Sequence, residues 1–153
     1  MSRGFLRAAP LLWTTAGFAF VAVLVFALLP REHVPELDLG HGDKLLHAIV
    51  WLGLGIVLWP AVRLAVRRGR WWRALVVWAV TVAFGAIVEG LQGLVPYRSA
   101  DALDLAADAV GATLACVLMV MVELAFDRRA RKIASSRGRD AHAASSRQTL
   151  EAP

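Results

Sequence analysis

Four long apolar runs separated by short polar connections leave this chain one kind of solvent in which to fold. The runs cover residues 8–30, 45–62, 74–95 and 104–126. A helix crossing a hydrocarbon core of ~30 Å needs roughly 20 predominantly apolar residues, and each run meets that length or comes close to it. The first carries no charge, and His47 is the only titratable residue of the second. Glu89 and Gln92 interrupt the third, and the fourth is entered through Asp104 and Asp108 and left through Glu123. The chain has 153 residues, 58% of them hydrophobic, with a mean hydropathy of +0.58, too apolar for a water-soluble domain of this size. The expected fold is an all-α integral membrane protein, a bundle of four transmembrane helices within residues 1–132. Residues 133–153 turn to Arg, Ser and Ala, cannot bury enough apolar surface to form a core, and are expected to be a disordered cytoplasmic tail.

Basic residues are retained on the cytoplasmic side of a membrane, so their positions predict orientation. Arg3 and Arg7 precede the first run, Arg63, Arg67, Arg68, Arg70 and Arg73 fill the second connection, and Arg128, Arg129, Arg131 and Lys132 follow the fourth run. The first connection carries Glu32, Glu36, Asp38 and Asp43 against Arg31 and Lys44, and the third carries Asp101, Asp104 and Asp108 against Arg98. Both chain ends are therefore expected inside and both acidic connections outside, in the cytoplasmic (inner) membrane. Trp13, Trp59, Trp71 and Trp72 fall near the inner boundaries, where an indole favours the headgroup layer. The first run exceeds a signal-peptide core and no Ala-x-Ala site precedes Pro30, so it reads as an anchor. Pro60 and Pro96 are expected to end the second and third helices.

The net charge of +5 does not imply a nucleic-acid partner, because the basic residues lie at membrane borders with no aromatic-interleaved module beside them. The single cysteine, Cys116, lies inside the fourth run, which excludes an intrachain disulfide and leaves it a small packing residue. No metal ligand set and no cofactor is assigned from the sequence.

Ionisable side chains inside a membrane are expensive and face a bundle interior or a wet cavity, which makes each a functional candidate. In the expected topology Asp43, Lys44, His47, Glu89, Gln92, Arg98, Asp101, Asp104 and Asp108 all fall in the outer half of the bilayer. Glu89 lies about 10 Å of helical rise below Pro96. Asp43 and His47 share a helix face at i+4, which places the carboxylate to hold the imidazole; Glu89 and Gln92 share one at i+3, and Asp104 and Asp108 at i+4. Gly85, Gly93, Gly111 and Ala115 continue these faces, and small residues at such spacing let membrane helices approach closely. The polar groups are thus expected to meet in one site. The structural alternatives are specific: Asp101 and Asp104 have the spacing of a helix N-cap and its third-residue carboxylate, and Lys44 and Arg98 are placed to snorkel.

At these residues the chain resembles the VanZ-like family, whose pattern is D-K-x-x-H-x-x-x-(aromatic), E-x-x-Q and P-x-R-S-x-D-x-x-D-x-x-x-N-x-x-G. Here these are Asp43, Lys44, His47 and Trp51, then Glu89 and Gln92, then Pro96, Arg98, Ser99, Asp101, Asp104, Asp108 and Gly111, a core spanning residues 43–115. Trp51 stands where the family usually has Tyr, and Asp108 where it usually has Asn. The resemblance implies a role in the cell envelope and a link to glycopeptide (teicoplanin) tolerance, without an established reaction.

Three functions are open at this point. The first is a site for a polar envelope ligand, a lipid-linked headgroup or a lipoglycopeptide, with Lys44 and Arg98 for anionic groups and Glu89 and Asp108 for hydroxyls or amines. The second is a membrane hydrolase or transferase in which His47, Glu89 and Asp108 are the catalytic candidates, His47 acting as base and Glu89 as acid or cation ligand. The third is a small proton-coupled exporter assembled as a homo-oligomer, against which stands the clustering of polar groups in one half of the bilayer rather than at its midplane.

Overall fold

The computed structural model describes residues 3–29, 42–97 and 100–150, with side chains over 9–29, 42–97 and 100–136. Within these residues all regular structure is helical: α1 (Arg3–Leu28), α2 (Gly42–Ala65), α3 (Arg70–Gln92) and α4 (Ala102–Leu150). Each contains a stretch long and apolar enough to cross a membrane, namely Ala9–Leu28, Gly42–Ala65, Arg70–Gln92 and Ala102–Ser136. Lipid offers the backbone no hydrogen bonds, so a spanning segment must satisfy its own amides, which is why these runs are helices. The protein is a multi-pass membrane protein, and its exposed side chains agree. Leu11, Phe18, Val21, Ile49, Ile87, Val110, Leu114 and Met121 all lie more than half exposed, a surface suited to acyl chains and not to water.

Two helix ends differ from expectation. Pro60 lies inside α2, which continues to Ala65. A proline removes one backbone donor, but in hydrocarbon the remaining intrahelical bonds favour continuing over fraying. α3 stops at Gln92, four residues before Pro96, through a turn in which Gly93 N–H donates to Glu89 O and Val95 N–H to Gln92 O. Glu89 is therefore in the last turn of α3, and its burial comes from what covers it more than from depth along the helix.

The chain divides into two compact units, Met1–Val120 and Met121–Pro153. In the second unit the helical assignment of α4 continues to Leu150, through residues for which composition predicts a disordered tail. Low apolar content argues against a packed core, but Ala and Arg are good helix formers, and a nucleated helix extends at the gain of one backbone bond per residue.

In the first unit, Trp51, Leu54 and Val88 form a buried cluster that receives Phe20, Val23, Leu24 and Ala27 of α1 and Phe84 of α3. The Phe20 and Phe84 rings lie 4.7 Å apart. At the end of α1, Gln92 Nε2 donates to Ala27 O (3.0 Å) and Tyr97 Oη to Leu28 O (3.1 Å), occupying two of the terminal carbonyls that a helix leaves unsatisfied. α1 thus packs as a member of the bundle. Trp59 is 2% exposed among Leu58, Ala61 and Val62, so it is a core residue and not the headgroup-layer indole that its sequence position suggested; Trp13, Trp71 and Trp72 are exposed.

Small residues bring α2, α3 and α4 together, as their spacing predicts. A Cβ on Gly111 would collide with the carbonyl oxygen of Ala48 and lie 3.0 Å from the amide nitrogen of Leu52. A Cβ on Gly55 would lie 2.5 Å from that of Ala115, and one on Gly85 2.7 Å from Asp108 Oδ2 and 3.0 Å from Trp51 Nε1. The Gly111 contact is backbone on backbone, so no side-chain rotation relieves an added methyl. Gly111→Ala should therefore destabilise the detergent-solubilised protein by about 1–3 kcal/mol, the usual cost of overpacking. Gly17→Ala, at a position with nothing within 4 Å, should leave the melting temperature unchanged. Equal melting temperatures for the two variants would contradict this packing.

Candidate functional site

The turns that begin α2 and α4 and end α3 lie at the same end of the bundle, and each delivers polar side chains to it. Asp101 caps α4: its Oδ1 accepts from Leu103 N–H at 2.8 Å, while Oδ2 accepts from Lys44 Nζ at 3.0 Å. These two donors, the amide first, hold the Asp101 carboxyl below the usual carboxylate range. Asp104, three residues on, does not complete a capping box. Its Oδ1 takes a second bond from Lys44 Nζ at 2.9 Å, and its Oδ2 lies 3.8 Å from His47 Nε2.

His47 projects from the second turn of α2 between α3 and α4. Its Nδ1 lies 2.8 Å from Asp108 Oδ1; with Asp108 ionised, a carboxylate that only accepts, Nδ1 carries the proton and donates. Asp108 has no solvent exposure, and its Oδ2, packed against the Gly85 backbone, finds no hydrogen-bond partner among the described residues. The other face of the imidazole stacks on Trp51, with centroids 5.6 Å apart and planes 14° apart. Trp51 is fixed in turn by donation from Nε1 to Thr81 O at 3.1 Å. Glu89 is 7% exposed; Asp101 N–H donates to its Oε2 at 2.8 Å, and Oε1 is buried without a hydrogen-bond partner among the described residues. One ligand atom each from His47, Glu89 and Asp104 lies within 4.8 Å of the others.

A cavity of about 100 Å³ adjoins this network, lined by Val23, Phe26 and Ala27 of α1, Leu46, Val50 and Trp51 of α2, and the polar groups of Asp43, His47 and Gln92. It is mainly apolar along α1 and α2 and meets the polar network at the imidazole.

Of the residues selected from sequence, Lys44, His47, Glu89, Asp104 and Asp108 are brought into one connected network. Gln92 lies at the cavity, where it ties α3 to α1. Asp43 stays at the rim, its side chain 62% exposed, where it accepts from the Lys44 amide. The carboxylate that orients His47 is Asp108 and not Asp43: i+4 spacing brings two residues to one helix face, but Asp43 sits in the open first turn while α4 covers the imidazole. Arg98 lies outside the described residues. Sequence reasoning placed Trp51 only as a departure from a family pattern and missed its stacking on His47, although the i+4 interval between them was a usable signal. It missed Tyr97 as a tether of α1, for which no sequence signal exists.

No curated protein and no solved structure matches the chain. A family model described as VanZ/LLP1 matches residues 12–123, which takes in most or part of each apolar span and every residue of the polar network. The chain belongs to the VanZ-like family.

Proposed function

We propose that the polar end of the bundle faces the outer side of the cytoplasmic membrane and binds the headgroup of a lipid-linked cell-envelope molecule. The observation that carries this reading is the junction of two chemistries at His47: a charged network on one side and an apolar cavity between α1 and α2 on the other. A ligand that fills both is amphiphilic, with a polar head for Lys44, Asp104 and Glu89 and a chain that leaves along α1. The five arginines from Arg63 to Arg73 support the orientation, because they lie at the opposite end of α2 and α3 from the acidic groups. The family's link to teicoplanin tolerance fits a ligand of this class.

A hydrolase or transferase acting on such a molecule is the second reading. It is favoured by one feature, the buried carboxylate of Asp108 that fixes the tautomer of His47, an arrangement suited to a general base at Nε2.

Orientation and binding are tested separately. In a Cys116→Ala background, Ala100→Cys should react with a membrane-impermeant maleimide on intact cells and Gly69→Cys only after lysis; the reverse pattern would invert the site. A polyprenyl-phosphate-linked sugar at a hundred times its Kd should stabilise the purified protein by about 2.7 kcal/mol. Lys44→Met and Glu89→Gln should lose that shift while folding normally. A shift unchanged in both variants, or none in the parent protein, would contradict the proposed ligand class.

A further inference from the structure

The three potential ligand residues share a feature that hydrogen bonding within the bundle does not explain. Each is held by a partner through one polar atom and has a second that is not so held, and one ligand atom from each lies within 4.8 Å of the others. His47 gives Nδ1 to Asp108 and keeps Nε2; Glu89 gives Oε2 to the Asp101 amide and keeps Oε1; Asp104 gives Oδ1 to Lys44 and keeps Oδ2. Glu89 is more than nine-tenths buried, and a carboxylate oxygen left buried without a donor is costly, so the atom calls for a positive partner. Among the described residues Asp101 and Asp104 share the Lys44 ammonium and Asp108 pairs with His47, whereas Glu89 accepts a backbone amide and no cationic side chain.

We propose that His47 Nε2, Glu89 and Asp104 bind one divalent transition-metal ion, with Asp108 as the carboxylate that positions the imidazole. The donor set of one imidazole and two carboxylates suits zinc or manganese. A carboxylate on the far nitrogen of a ligating histidine is the usual outer partner in such sites, since it fixes the tautomer that leaves the other nitrogen's lone pair for the metal. Donor atoms around a tetrahedral ion with bonds of ~2.1 Å are about 3.4 Å apart. The spacing of up to 4.8 Å therefore has to close by up to about 1.4 Å, within reach of carboxylate rotation. Lys44 does not block the site, because it occupies the opposite oxygen of Asp104. Three protein donors leave coordination positions open, and one of the three, His47, also lines the cavity. This assignment stands on the donor geometry and does not require the lipid ligand proposed above.

The test uses the full-length protein, purified in detergent without a histidine tag, stripped with a chelator and titrated with Zn²⁺ or Mn²⁺ alone. The parent protein should retain about one equivalent after desalting, and the metal should raise its melting temperature. Glu89→Gln and Asp104→Asn should each weaken binding by more than tenfold, and Asp108→Asn by about tenfold to a hundredfold, the range for an outer partner. Variants that fold in the absence of metal, by circular dichroism and gel filtration, are compared; the stoichiometry of the parent decides the matter if a variant does not fold. Mn²⁺ bound to the parent should show a nitrogen coupling by pulsed electron paramagnetic resonance that His47→Gln removes. No retained metal in the parent, or equal affinity in Glu89→Gln and Asp104→Asn, would overturn the site. Either result would leave the orientation and lipid-binding measurements untouched.

Discussion

Asp108 is a carboxylate with no solvent exposure in a protein whose outer surface is hydrocarbon-like, and its burial sets the terms for the rest of the bundle. An unpaired charge there would cost several kcal/mol, so α4 can pack where it does only if α2 supplies a donor at the same level. His47 is that partner, and the ring edge that carries Nδ1 must face α4 to reach. The backbone contact of Gly111 with Ala48, one turn further in, sets the distance at which the pair can form. Trp51 then closes the open face of the imidazole, and Gly85 lets α3 come near enough to cover the carboxylate. The small residues and the polar residues are thus one device: close approach makes the hydrogen bonds reachable, and the hydrogen bonds compensate the burial that close approach imposes.

The same end of the bundle is layered outward from that pair. Asp104 and Asp101 share the Lys44 ammonium, so the start of α2 is clamped to the start of α4 by a network partly open to solvent. Exposed ion pairs contribute little alone, and this clamp matters for register more than for stability. α1 is attached by a different chemistry, apolar packing on the Trp51 cluster and side-chain donors on its last carbonyls. The cavity lies along this attachment, lined by Val23, Phe26 and Ala27 of α1 and by His47 of the polar network.

The helices were legible in the sequence because hydrocarbon imposes a length and forbids unsatisfied backbone, so charge-poor runs map onto spans almost directly. The membership of the polar network was legible for a related reason: Lys44, His47, Glu89, Asp104 and Asp108 are each too expensive in lipid to face outward. Pairing was not legible. Periodicity relates residues on one helix, which made Asp43 the apparent partner of His47, whereas the actual partner depends on the rotation of α2 against α4 that Gly111 permits. The ends of α2 and α3 were misplaced at Pro60 and Pro96 because proline rules derived from water overstate its power to stop a helix in lipid and say nothing about an earlier turn. Trp59 shows the limit of the aromatic-belt rule, since a tryptophan at the right height is a belt residue only if it faces lipid.

The account depends most on the claim that His47 and Asp108 act as one buried unit holding α2 to α4. A double-mutant cycle with His47→Ala, Asp108→Ala and the pair, followed by equilibrium unfolding of chelator-treated protein in detergent, measures it without any ligand. Residues that share a buried network should couple by about 1–3 kcal/mol, so the double variant should be barely less stable than the worse single one. Additivity to within about 0.5 kcal/mol would mean that the two side chains contribute independently, and the bundle would have to be held by its small-residue packing alone.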